Sequence, residues 1–350
     1  MNRQELLRMT LAQRAGSAVI LPVNAVPLPT PERQWPLPFN FKDEKHASAF
    51  DAIAFGITEI GIVFAGSAAC GFLAQLHKQL PYLSRSVAID TSLSALQRAL
   101  ADRYVWVGRS DEMATDCQTV RLQAMAVESE ISDAIRGLDL IWLVSSLGGA
   151  AGTGIAPVVA DVANELGITV VAASTTPFDF EGSTRNQIAQ TGLNAITQRV
   201  QASVVLPNDV FAAHAPDELM VTVLDRAAAK FGQLYRGTST VLSQQGLIGV
   251  DLEDFRAVLA QGRGLAVFGH GRGDSLTDAY RLAVNDELLG SLRLHQAKGV
   301  FVTMSGPWER VKMDSLSEIM VAISGAAPDA LAIFGATVDE ATTVTIVAVQ

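Results

Sequence analysis

The stretch SSLGGAAGTGIAPVVADVANELG, residues 145–167, places Gly148, Gly149, Gly152, Thr153 and Gly154 within seven positions. Glycine is costly to order and packs nothing, so such a run fits a place where the main chain must approach something closely. An apolar run, LDLIWLVSS (138–146), leads into it, and Ile155, Val158, Val159, Val162 and Leu166 follow at helical spacing. Pro157 suits a first helical turn, where no donor is needed, and Leu166-Gly167 suits the helix end. Unpaired N–H groups and the positive end of a helix dipole make an anion site, and missing side chains let phosphate oxygens approach. The other reading of the same residues is a tight, close-packed turn that holds no ligand.

The phosphate reading has variants. A P-loop needs Lys-Ser/Thr after the last glycine, and Ile155-Ala156 stands there. A dinucleotide fold wants G-x-G-x-x-G after the first strand; GSAACG (66–71) keeps only Gly66 and Gly71. Asp90 does follow the second strand, where a ribose-binding acid would sit.

The elements around the loop read as alternating apolar strands and helices. Strands are expected over 59–66, 85–90, 104–108, 138–146, 168–174 and 202–209, with helices over 71–80, 91–103 and 120–137 between them. That alternation implies a parallel sheet covered on both faces. A stretch compatible with one long helix spans 216–244; strands at 265–270, 299–305, 330–337 and 343–350 and helices at 275–286 and 316–326 follow. The fold class is therefore α/β: a parallel, doubly wound nucleotide-binding domain, a long central helix and a second, smaller α/β domain.

At 350 residues the chain has room for two such cores, and 49% hydrophobic against 18% charged residues describes a compact protein. The net charge of −10 and the lack of any Lys/Arg-rich run argue against nucleic acid as a partner. Cys70 and Cys117 lie far apart and the five histidines are scattered, so no metal site is expected and the thiols read as reduced, in a cytoplasmic protein. No run reaches the ~18 apolar residues of a membrane span, and residues 2–15 carry charges where a secretory signal would be apolar.

The paired motifs GGAAGTGIAPVVADVANELG and TTPFDFEG (175–182) resemble the tubulin/FtsZ signature GGGTGTGAAPV with its later T-x-P-F-x-F-E-G. The resemblance continues through RNQIAQTGL, LPND and GLIGVDLEDF into the C-terminal part, covering roughly 57–350. It implies GTP or GDP, with or without Mg²⁺, across the strand ends of the first domain. It also implies phosphate contacts at Gly66, Gly71, Gly148, Gly149, Gly152, Thr153 and Gly154, and pocket roles for Thr175, Glu181 and Arg185. Asn208 matches the residue that faces guanine. Hydrolysis in the family is completed by acids of the next subunit, matched here by Asp251 and Asp254; the same acids would also suit a helix N-terminus. The implied divisions are an extended proline-rich arm (1–55), a nucleotide-binding domain (56–215), the central helix (216–246) and the C-terminal domain (247–350).

Several positions depart from the family. Ala151 replaces a threonine, Ser67, Ala68 and Ala69 fill the first glycine loop, and Gly249 replaces an asparagine. Asp111, Glu112 and Asp116 stand where backbone should meet phosphate, and would repel it unless Mg²⁺ intervened. Leu224 and Ala229 occupy the base-stacking and base-reading positions, with Asp225 as a substitute in a slipped alignment. Six of the thirteen prolines fall between Pro22 and Pro38, after a short amphipathic segment carrying Arg3, Arg8 and Arg14. The sequence ends at Gln350, just after the last strand, without the tail that binds membrane tethers in division proteins. The expectation is a role other than ordinary division, with the arm as a membrane, adaptor or subunit contact. The expected function is head-to-tail self-assembly with altered GTP binding and slow hydrolysis. The alternative is a degenerate, non-hydrolysing tubulin-like scaffold, nucleotide-free in the extreme, or a membrane-remodelling or assembly protein, and a nicotinamide enzyme is the third.

Overall fold

A computed structural model describes residues 58–76, 80–108, 116–213, 217–244, 246–262, 264–290 and 294–350. The expectations for the arm and for Asp111 and Glu112 lie outside the described residues. Ten strands form one sheet in the order β3-β2-β1-β4-β5-β6-β7-β10-β8-β9. They are β1 (Ile60–Ala65), β2 (Arg85–Asp90), β3 (Arg103–Trp106), β4 (Leu140–Ser146), β5 (Thr169–Thr176), β6 (Ala202–Pro207), β7 (Leu265–Arg272), β8 (Gly299–Gly306), β9 (Leu331–Val338) and β10 (Thr343–Val349). The first six pair in parallel, and β1 and the first six residues of β4 are buried throughout, as apolar strands covered on both faces must be. β10 runs antiparallel between β7 and β8. The two parts of the sheet meet at β6 and β7 through two residue pairs, Ser203–Leu265 and Val204–Ala266.

The helices in chain order are α1 (Ser67–Leu76), α2 (Leu93–Arg98), α3 (Cys117–Met125), α4 (Glu128–Ile135), α5 (Ala150–Glu165), α6 (Ser183–Thr197), α7 (Asn208–Ala213), α8 (Met220–Leu242), α9 (Leu252–Leu259), α10 (Leu276–Val284) and α11 (Met313–Ala326). One face of the first sheet part packs on α3, α4 and α5 through Val120, Ile131, Ile135, Ile155 and Val159. The other face receives α8, where Phe231 meets Phe64 and Trp142 edge-on at 6.4 and 6.2 Å. That core runs on to Phe255 and Phe301 of the second part. The Tyr235 hydroxyl donates to the Pro81 carbonyl at 3.1 Å, and Pro81 lies just before β2. α8 therefore descends from the carboxyl ends of the strands toward their amino ends.

Several details differ from the sequence reading: the strand expected over 202–209 ends at Pro207, with Asn208 opening α7, and the helix expected over 91–103 spans only Leu93–Arg98. α1 begins at Ser67, so the turn expected over 66–71 is reduced to Gly66. α5 begins at Ala150, which puts Gly152 and Gly154 inside the helix and Pro157 in its middle rather than its first turn. The helix expected over 120–137 breaks at Ala126–Val127 into α3 and α4 without glycine or proline to announce it.

Candidate functional site

In a doubly wound sheet the ligand crevice opens at the carboxyl ends, where the strand order reverses. Here the chain moves outward from β1 to β2 and β3, then returns to lay β4 on the other side of β1. The switch therefore falls between Gly66, after β1, and Gly148-Gly149, after β4. Gly66 and Gly148 both hold positive φ, +91° and +95°, which favours glycine at each. A Cβ on Gly66 would stand 2.7 Å from the Gly152 nitrogen, so the two loops already touch.

The glycines divide by what surrounds them. A Cβ on Gly152 would lie 2.2 Å from the Ser146 carbonyl oxygen, and one on Gly154 would lie 2.6 Å from the Cys117 carbonyl and 2.9 Å from Val120 Cβ. These two glycines let α5 approach β4 and α3, which is a packing role. Gly149, the N-cap of α5, and Gly71, on the exposed side of α1, meet nothing within 4 Å at the Cβ position. Open backbone for a ligand at the α5 N-terminus is concentrated at Gly149, while Gly148 is crowded by Arg185 and Pro177 at 3.0 Å.

Several expected pocket side chains have partners within the chain. The Gly148 N–H donates to Thr153 Oγ1 at 3.1 Å, and Thr153 is buried. The Thr175 hydroxyl donates to Ser146 Oγ at 3.0 Å. Glu181 accepts the Phe178 N–H at 2.9 Å and pairs with Arg185 at 3.0 Å. The Arg185 stem lies where a Cβ on Gly148 would be 3.0 Å away, so Arg185 closes over the loop. Asp209 accepts the Asp179 N–H at 3.0 Å and so docks the 178–181 turn on α7; burial, then Asp179 and Glu181, push its carboxyl pKa up. The motif reading passed over Asp209 because its role depends on a turn thirty residues away. Asn208 is buried at the start of α7, and its Oδ1 has no hydrogen-bond partner. That orphaned acceptor, together with the open Gly149 backbone, fits a ligand presenting N–H donors at one end and an anion at the other.

Asp90 lies at the carboxyl end of β2, completely buried. Its Oδ1 accepts the Ser92 N–H at 2.6 Å, while Oδ2 has no partner, and burial raises its pKa. Asp116 caps α3, accepting the Gln118 and Thr119 N–H groups at 2.9 Å each. The Thr119 hydroxyl and backbone N–H hold its carboxyl below the usual carboxylate range.

Asp251 and Asp254 form a reciprocal cap at the N-terminus of α9. Asp251 Oδ1 accepts the Asp254 N–H at 2.9 Å, and Asp254 Oδ2 accepts the Asp251 N–H at 3.1 Å. Both are exposed or half-exposed, and they follow the foot of α8. That helix has 23 residues and is about 35 Å long. Within one chain these acids therefore stay far from Gly148 and Asn208. Leu224 is half-buried against the core, Asp225 is bound by Gln75 of α1, and Ala229 faces away, into a cleft of about 640 Å³ between α8 and strands β7, β8 and β10. In that cleft Lys230 pairs with Asp286 at 2.6 Å, and Arg236 with Asp339 at 3.3 Å. Among the described residues no group of three or more His, Cys, Asp or Glu side chains could hold a metal ion. No described helix is long and apolar enough to cross a membrane.

Comparison with known proteins matches residues 57–215 to the GTPase domain of the Tubulin/FtsZ family. Cell division protein FtsZ 1 of Methanocaldococcus jannaschii is 31% identical over 290 residues, which cover 81% of this chain and 79% of that one. A solved FtsZ dimer, empty, from M. jannaschii superposes with a TM-score of 0.78 at 28% identity, covering 87% of this chain and 92% of the other. GDP-bound monomeric CetZ1 from Haloferax volcanii shares the fold, with a TM-score of 0.70 at 18% identity over 83% of this chain and 94% of its own.

Proposed function

Because the chain belongs to the Tubulin/FtsZ family, we propose that this FtsZ-like cytoskeletal protein binds guanine nucleotide in the β1/β4 crevice and assembles head-to-tail. Gly148 and Gly149, with the N-termini of α1 and α5, would hold the phosphates, and Asn208 Oδ1 would accept from the base. Arg185, steadied by Glu181, would cover the loop. GTP, when bound, supplies the terminal phosphate whose hydrolysis makes assembly reversible. We further take residues 56–215 as the nucleotide-binding unit, 216–246 as the connecting helix and 247–350 as the C-terminal unit.

The observation that carries the reading is the placement of Asp251 and Asp254. They lie at the foot of α8, a helix about 35 Å long whose head adjoins the crevice side. Groups so placed reach a nucleotide only on a neighbouring copy stacked in the same direction. Both carboxylates already serve as a helix cap, and their exposed sides are what a neighbour would meet. Ala151 and the filled first loop support slow turnover.

A second reading is a scaffold that binds no nucleotide. It is favoured by Thr153, Thr175 and Glu181, whose polar atoms are engaged within the chain. Two measurements separate the readings: chromatographic identification of nucleotide released on denaturing fresh protein, and sedimentation with and without GTP and Mg²⁺. Bound guanine nucleotide with GTP-dependent pelleting supports the first. Neither nucleotide nor a GTP effect on pelleting establishes the second.

A further inference from the structure

The rim of the crevice holds one polar group that the proposed function leaves unexplained. Asp90 has no exposed surface, yet it is ionisable and lies behind the first turn of α1. The Gly66 N–H donates to the carbonyl of Ile89, its neighbour in β2, at 2.9 Å, so the α1 start is tied to this strand end. The Ser67 side chain, first in α1, faces the Asp90 carboxyl. Oδ1 takes the Ser92 N–H at 2.6 Å and the Thr91 hydroxyl at 3.5 Å, whereas Oδ2 has no partner. A buried carboxylate oxygen without a donor is costly, and a neutral acid relieves much of that cost. An anion at the α1 N-terminus would meet favourable N–H groups in front and, if Asp90 were ionised, a like charge behind.

We propose that Asp90 gates the crevice by its protonation state: a phosphate is held at the α1 N-terminus while this carboxyl carries its proton, and is weakened when the carboxyl ionises. Asp90 acts without touching the ligand, so it is a positioning residue. Burial raises its pKa, and the hydrogen bonds from Ser92, Ser67 and Thr91 only partly offset that. Among the described residues, the other titratable group facing it is the Cys70 thiol of α1. Burial, and then Asp90 itself, push that thiol's pKa up, so it stays neutral and does not compete. The Ser67, Thr91 and Ser92 groups around Asp90 carry no charge.

The inference rests on the nucleotide reading above, and the probe is GDP with the full chain. Dissociation constants are measured from pH 5 to 8.5 for the unmodified protein and Asp90→Asn, each with and without EDTA. The amide keeps the acceptor for Ser92 and cannot ionise. The ratio of the two constants is expected near one at low pH and to rise by at least about tenfold across the carboxyl's titration, in the direction of weaker binding by the unmodified chain. A ratio flat with pH overturns the proposal. So does a loss of binding in EDTA confined to the unmodified chain, which would make the carboxylate a cation ligand instead. If Asp90→Asn does not fold, Asp90→Ser, equally unable to ionise, takes its place in the same ratio: a rise with pH supports the gate, and a level ratio overturns it. Failure of both proteins to bind GDP at any pH overturns the nucleotide reading, and the gate with it.

Discussion

The glycines of residues 148–154 look alike in sequence, and substituting them one at a time separates packing from ligand contact. In Gly152→Ala the new methyl would stand 2.2 Å from a backbone carbonyl at the end of β4, against more than 3 Å for ordinary contacts. The carbonyl cannot swing aside, so α5 must shift away from the sheet. Overpacking of this kind costs ~1–3 kcal/mol or more, and the gain in helix propensity from glycine to alanine returns only ~1. A net loss of ~2 kcal/mol is expected, a few degrees in Tm. Gly154→Ala presses on Cys117 and Val120 of α3, a helix that can yield slightly, and should lose ~1 kcal/mol. Gly149→Ala meets no atom within 4 Å and has φ of −103°, open to any residue. Its stability should stay within ~0.5 kcal/mol of the parent, since weaker capping offsets reduced unfolded-state entropy. If the phosphate passes there, GDP affinity should nevertheless drop at least about tenfold, by steric exclusion. Thermal unfolding and GDP titration on the three variants check this. Unchanged Tm in Gly152→Ala, or unchanged affinity in Gly149→Ala, would refute the division.

Other substitutions test other parts. His270, whose backbone N–H donates to Asp286, has its pKa pulled down to about 4, first by burial and then by Lys230. The unfolded chain takes up that proton near pH ~6.5, so the stability is present above that value and is lost as pH falls toward 4. Urea unfolding should show the parent losing ~2 kcal/mol more than His270→Gln between pH 7 and 5. Lys230→Met leaves Asp286, whose side chain is 2% exposed, without its cation and should cost ~3–5 kcal/mol by the same assay. Asp251→Ala removes a cap worth ~1 kcal/mol, whereas Asp251→Ser retains one; if Asp251 acts across a subunit contact, both should lose phosphate release on assembly.

Much of this was legible because parallel strands advertise themselves. IGIVFA and LIWLVSS are apolar end to end, and the sheet buries them on both faces. The acids of VDLEDF stand three apart after an extended residue, and that spacing is the cap observed. The glycine run was half legible. A glycine that admits a phosphate and one that admits a helix leave the same letter. The role of Gly154 depends on Cys117, which nothing nearby in sequence reveals. The α3/α4 break at Ala126–Val127 lacks any breaker residue, so tertiary packing decides it. Asp90 reads from sequence as an accessible site acid, and only the assembled strand order buries it.

The junction of β6 and β7 has a mechanical consequence. Ten strands share one sheet, but its continuity across the molecule rests on two residue pairs, while neighbouring ladders run to five or more. If copies stack head-to-tail as proposed, tension along the resulting filament would concentrate on this narrow seam. It is where the sheet should tear first, with α8 as the remaining strap. Amide protons bridging the seam, such as that of Ser203 donating to Gly264 at 2.7 Å, would then be the first to exchange when the polymer is pulled or its subunits flex.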